Sequence, residues 1–104
     1  MTAYADFGIA PTTARRLREV FDSASGLQRV WIFGSRARNT ARPESDIDLA
    51  IEAPGWSFPQ LASLMAQIES LNLLYKVDCV LLHDVSNAPL ATSIARDRQV
   101  FWVR

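Results

Sequence analysis

The 104-residue sequence predicts a small α+β (α/β-like) domain in which helices flank a mixed β-sheet. Three observations lead there. Helical and strand-like apolar patterns interleave in the order helix, strand, strand, helix, strand, helix, strand. A hydrophobic content of 49% with 21% charged residues is that of a folded chain. The length suits one domain, residues 1–104, with a single modest core.

Pro11-Thr12-Thr13 opens a helical pattern with Ala14, Leu17, Val20, Phe21 and Ala24 on one face, and Gly26 closes it. Val30 to Phe33 is a β-prone run stopped by Gly34-Ser35, and Arg36 to Ser45 is polar, with Pro43 breaking any long helix. Asp46 to Glu52 alternates strictly, with Ile47, Leu49 and Ile51 on one face and Asp46, Asp48, Ala50 and Glu52 on the other. Pro54-Gly55 turns the chain. Ser57 and Gln60 then form a capping-box pattern ahead of an amphipathic helix through Leu61, Leu64, Met65, Ile68, Leu71 and Tyr75. Val77 to Leu82 is apolar on both faces except at Asp78, the pattern of a central strand. Asn87 caps a short helix through Leu90, Ile94 and Ala95, and Val100 to Val103 adds a last strand.

Composition excludes several classes. No apolar run approaches the roughly 18 residues of a membrane span, and Met1 to Ala10 lacks the basic start of a signal peptide, so a cytoplasmic protein is expected. Cys79 is the only cysteine, which leaves no internal disulfide or cysteine-rich zinc site. A net charge of zero argues against direct nucleic-acid binding. Arg29, Arg36, Arg38 and Arg42 nevertheless cluster, and arginine suits forked contacts to phosphate. Neither a Walker-type lysine loop nor a dinucleotide glycine fingerprint occurs.

The chemistry concentrates in Gly34-Ser35 and Asp46-Ile47-Asp48. A Gly-Ser at a strand end lets backbone N–H groups and a hydroxyl approach phosphate oxygens. Two aspartates at i and i+2 on a strand share a face and suit Mg²⁺, a hard cation that prefers carboxylate oxygen. Asp78, alone in an apolar strand, would join them if its strand lay alongside. Four such fixed positions match by chance about once in 10^5 starts. Cys79 points to the other face of its strand and reads as core, and His83 has no ligand partner in sequence. Trp56 and Phe58, in a turn between strand and helix, read either as core or, if exposed, as part of a partner surface.

Phe33-Gly34-Ser35-Arg36-Ala37-Arg38, followed by Ser45-Asp46-Ile47-Asp48-Leu49, resembles the signature of the minimal nucleotidyltransferases. These are the smallest members of the DNA-polymerase-beta-like superfamily, often the antitoxin paired with a HEPN-domain toxin. Val77-Asp78-Cys79-Val80 resembles the strand of the family's third carboxylate, and Ile94 to Val103 its C-terminal end. Asn39 stands where many members have glycine, a replacement tolerated because asparagine accepts left-handed backbone.

The resemblance implies Asp46, Asp48 and Asp78 as catalytic metal ligands for two Mg²⁺ ions, with ATP as substrate. Gly34, Ser35, Arg36 and Arg38 would contact its phosphates. The implied reaction moves AMP to a hydroxyl, a tyrosine being favoured, of a HEPN-type toxin that the chain silences. About 100 residues leave little room for an acceptor-binding lobe, so the acceptor is expected on a second protein. Two alternatives stay open: an antitoxin that neutralises by binding alone, and a small-molecule or RNA nucleotidyltransferase with an accessory subunit.

Overall fold

The computed structural model describes residues 6–104; residues 1–5, part of the segment read above as lacking a signal peptide, lie outside the described residues. The main elements are α1 (Pro11–Asp22), β1 (Arg29–Phe33), α2 (Gly34–Ala37), β2 (Ile47–Glu52), α3 (Phe58–Glu69), β3 (Val77–Leu81), α4 (Ala88–Asp97) and β4 (Gln99–Val103). A 3-10 turn, Leu82–Asp84, links β3 to α4. The four strands form one mixed sheet in the order β3-β2-β1-β4. β1 is antiparallel to both β2 and β4, whereas β2 and β3, joined through α3, run parallel.

The alternation of β2 divides the sheet into two unequal faces. Ile47, Leu49 and Ile51 are fully buried beneath α1 and α3, together with Val30, Ile32 and Phe101. α1 contributes Ala14, Leu17 and Phe21, and α3 contributes Leu61, Leu64 and Ile68, each set at helical spacing. The opposite face is covered only in part. There α4 lays Ile94 over Phe33 and Ala50, with Trp31, Val80 and Leu90 at the margin. Asp48 lies on this second face.

Capping explains several boundaries. Gln60 Oε1 accepts from the Ser57 N–H at 2.9 Å, as the capping-box pattern predicts, and Asn87 Oδ1 accepts from Leu90 N at 2.9 Å. α3 stops at Glu69, short of Leu71 and Tyr75, because Asn72 takes a left-handed φ of 54°. Arginines fasten irregular backbone. Arg104 donates to the carbonyls of Ala24 at 2.6 Å and Leu27 at 2.7 Å, and Arg18 donates to that of Phe101 at 2.9 Å.

One expectation needs correction. Among the described residues β3 is an edge strand, not a central one, since none of them adds a strand beyond it. Its apolar residues on both faces are instead half-covered by α3 on one side and by Val85 and Leu90 on the other. In the polar segment after β1, Gly34–Ala37 winds into the short helix α2, ahead of Pro43. Among the described residues, no helix is long and apolar enough to cross a membrane.

Phe101 is fully buried and its ring meets those of Phe7 and Phe21, both at 6.2 Å. Phe101→Ala is expected to destabilise the fold by about 3–5 kcal/mol, read as a lower urea midpoint at unchanged slope.

Candidate active site

The site grows from the junction of β1 with α2. Gly34 ends the strand with φ 74°, a left-handed conformation that glycine alone adopts readily. The reason lies across the ladder. Phe33 pairs with Asp48, and a Cβ on Gly34 would come within 2.6 Å of Asp48 Oδ2. Backbone turn and carboxylate therefore occupy adjoining space with no room between them. Ser35 follows at the start of α2, half-buried, and its hydroxyl makes no hydrogen bond to the described residues. Asn39 closes the turn with φ 61°, the left-handed backbone expected of an asparagine in that place.

Asp48 is paired in register with Asp78 of β3, so the two aspartates stand side by side on one face of a parallel ladder. Asp46 lies two residues before Asp48, exposed, immediately ahead of the strand. The structure thus makes the three aspartates neighbours. Burial first, then the charges of Asp78 and Asp46, raise the Asp48 carboxyl above its ordinary 3.8, while Arg36 and Arg38 pull it back. Neither the Asp46 nor the Asp48 carboxylate receives a hydrogen bond from the described residues, and that of Asp78 has only Lys76 Nζ at 4.0 Å.

The donor set is all carboxylate, half-buried at its centre and mutually repelling, which suits a hard divalent cation. Among the described residues no three acidic, histidine or cysteine side chains close into a ready ligand cage. Like charges held by neighbouring backbones have reason to stand apart. A groove of about 520 Å³ along the outer edge of β3 reaches Asp78 but not the other two.

The two arginines behave differently. Arg36 is 2% exposed. Its Nη2 donates to Ser45 O at 2.7 Å and Pro43 O at 3.3 Å, and its Nη1 donates to Phe7 O at 3.1 Å. Its guanidinium lies 5.0 Å from the Tyr75 ring centre. As placed, Arg36 fastens the loop that delivers Asp46, and it acts on Asp48 through charge. Arg38 is exposed and bonded through Nη1 to Asp97 Oδ2 at 2.7 Å. Asp97 carried no role in the sequence reading, where the one cue was an acid between Arg96 and Arg98.

Cys79 faces the main core, and its thiol is pushed up to about 12 by burial and then by Asp78, which makes it a poor nucleophile. Trp56 is not a free surface aromatic. It packs on the core and donates from Nε1 to Ser25 O at 3.0 Å, whereas Phe58 is 70% exposed. His83 is exposed, with Nε2 3.1 Å from Trp56 O.

A family model described as Polymerase beta, Nucleotidyltransferase matches residues 15–104. A solved structure of a minimal nucleotidyltransferase is 28% identical with a TM-score of 0.65, and the match covers 94% of this chain and 98% of that one. A chain of a toxin–antitoxin crystallised with AMP-PNP is 22% identical, TM-score 0.67, over 88% of this chain and 73% of that one. A complex of tri-AMPylated Shewanella oneidensis HEPN toxin with MNT antitoxin contains a chain 21% identical, TM-score 0.62, over 89% and 71% respectively. No curated protein matches the chain.

Two stability measurements probe the geometry. Folding raises the Asp48 pKa, so the stability this group contributes is complete below about pH 4 and is lost as pH rises through the raised value. In EDTA at pH 7, Asp48→Asn should melt above the parent protein, and the gap should close as the pH falls below about 4. Gly34→Ala should lose about 1–3 kcal/mol by urea denaturation, having both a disfavoured φ and a clash with Asp48. Gly55→Ala, where an added Cβ meets nothing within 4 Å, should stay within about 0.5 kcal/mol of the parent.

Proposed function

The chain belongs to the polymerase beta nucleotidyltransferase family, and we propose that it is a Mg²⁺-dependent adenylyltransferase that modifies a partner protein. The observation that carries this reading is the carboxylate centre. Asp48 and Asp78 pair across the β2–β3 ladder, Asp46 adjoins them, and the Asp48 carboxylate lies against the turn at Gly34, where a Cβ would meet it. The matching chains in toxin–antitoxin complexes support a HEPN-type toxin as the acceptor and ATP as the donor.

In this mechanism an acceptor hydroxyl oxygen, a tyrosine being favoured, forms a bond to the α-phosphorus of ATP. The bond from that phosphorus to the bridging oxygen breaks, and pyrophosphate leaves with the electron pair. Bound Mg²⁺ would neutralise charge on the triphosphate and on the departing pyrophosphate. Asp46 and Asp48 would hold the ions, joined by Asp78, which also takes the hydroxyl proton. The backbone at Gly34 and the Ser35 hydroxyl bind the terminal phosphates, with Arg38 adding positive charge. Arg36 holds the Arg42–Ser45 loop, and so the position of Asp46, through its bonds to Pro43 and Ser45.

A second reading, neutralisation by binding alone, draws on exposed apolar residues. Phe58, Met65 and Leu74 all present large side chains to solvent, which suits a protein partner.

The experiment combines the purified protein with the product of its neighbouring gene, Mg²⁺ and ATP, and weighs the partner by intact mass spectrometry. A gain of one or more AMP units, absent with Asp46→Asn/Asp48→Asn, is the expected result. A stable complex without mass gain, still protective with both aspartates replaced, would establish the binding-only reading instead.

A further inference from the structure

Asp97 is the last residue of α4, where the helix dipole disfavours a negative charge, and its side chain is only 5% exposed. Such a carboxylate needs positive partners, and it has two. Arg96 meets it in a fork, Nε to Oδ1 at 2.8 Å and Nη2 to Oδ2 at 3.0 Å. Arg38, far away in sequence, reaches Oδ2 through Nη1 at 2.7 Å. Together the guanidiniums hold the Asp97 carboxyl down to about 2, the Arg96 hydrogen bond contributing most, so it remains ionised across the working range.

The attachment is asymmetric. Arg96 spends both edges of its fork on Asp97, whereas Arg38 uses one nitrogen and keeps much of its side chain in solvent. Two residues on, Gln99 Nε2 donates to Ala37 O at 2.9 Å, the carbonyl just before Arg38. The end of α4 and the start of β4 thus grip both the backbone and the side chain of the turn that follows Gly34 and Ser35. The Arg38 charge is close enough to Asp48 to lower its pKa.

We propose that Asp97 is a positioning residue that fixes Arg38 by one guanidinium nitrogen and leaves the others to bind the terminal phosphates of a nucleoside triphosphate. The inference rests on the nucleotidyl-transfer reading and adds how the chain orders its exposed phosphate-facing cation. The cluster of two arginines and one aspartate keeps a net positive charge, so the aspartate orders the cation without cancelling its attraction for an anion. A flexible Arg38 would lose side-chain entropy when nucleotide binds, whereas an anchored one has lost it already.

The test compares Asp97→Asn, Asp97→Glu, Arg38→Ala and the Asp97→Asn/Arg38→Ala pair. Binding of Mg²⁺ with a non-hydrolysable ATP analogue is measured by calorimetry, AMP transfer by KM and kcat, and folding by melting temperature. Asp97→Asn should weaken triphosphate binding and raise the ATP KM about tenfold with little change in kcat. Asp97→Glu should recover most of that loss, and the pair should bind no more weakly than Arg38→Ala alone. Affinity unchanged in Asp97→Asn, additive losses in the pair, or an effect confined to melting temperature would each overturn the positioning role. A parent protein that binds no triphosphate would overturn both the transfer reading and this one. Parent binding with an indifferent Asp97→Asn would remove this inference alone.

Discussion

The contact between Asp48 and Gly34 sets what the surrounding chain can be. A carboxylate oxygen within 2.6 Å of where a Cβ would stand demands glycine, and the φ of 74° at that glycine makes the same demand from the backbone. For the contact to exist, Phe33 must face Asp48 in the β1–β2 ladder, which fixes the register of those strands. A slip of one residue would carry Asp48 into the core beneath α1 and α3 and bring Ile47 or Leu49 to the open face. Parallel pairing of β2 with β3 then sets Asp78 beside Asp48. One close approach therefore links the loop, the sheet register and the alignment of acidic residues.

The same arrangement accumulates like charge, which the fold tolerates by distributing opposite charge around it. Arg36 is sealed under the loop that leads to Asp46, and Arg38 is exposed at the end of α2 and bonded to Asp97; both lower the Asp48 pKa without forming a salt bridge to it. A direct pair would neutralise the carboxylate and compete with a cation for its oxygens. Charge held at a distance limits the repulsion and leaves the oxygens free of hydrogen bonds from the described residues. Stability and the proposed chemistry pull in opposite directions here, as is common where a site must bind charge.

Much of this was legible in the chain. The Asp-x-Asp alternation, the strand-ending Gly34-Ser35, the capping residues Ser57, Gln60 and Asn87, and the tolerance of Asn39 for left-handed backbone all depend on local chemistry. What escaped depends on distant parts of the chain. An apolar strand such as Val77–Leu81 reads as central, but its place at the sheet edge is decided by where β1 and β4 pair. The arginine cluster suggested phosphate contact throughout, yet Arg36 is spent on carbonyls of Phe7, Pro43 and Ser45, brought to it only by the folded loop. The partnership of Arg38 with Asp97 spans 59 residues, and its one local trace is an acid between Arg96 and Arg98. Even the end of α3 turned on Asn72, whose left-handed φ overrode an apolar pattern that continued to Tyr75.

The account stands on the carboxylates acting as one cation site. Mn²⁺ replaces Mg²⁺ at oxygen-rich sites and is paramagnetic, so its binding can be followed by electron paramagnetic resonance in the presence of a non-hydrolysable ATP analogue. The proposed cation site predicts saturable binding in the parent protein, strongly weakened in Asp48→Asn and in Asp78→Asn, the two residues paired across the ladder. Mn²⁺ binding that is equal in the parent and in both variants would contradict the account, because the paired aspartates would then hold no metal.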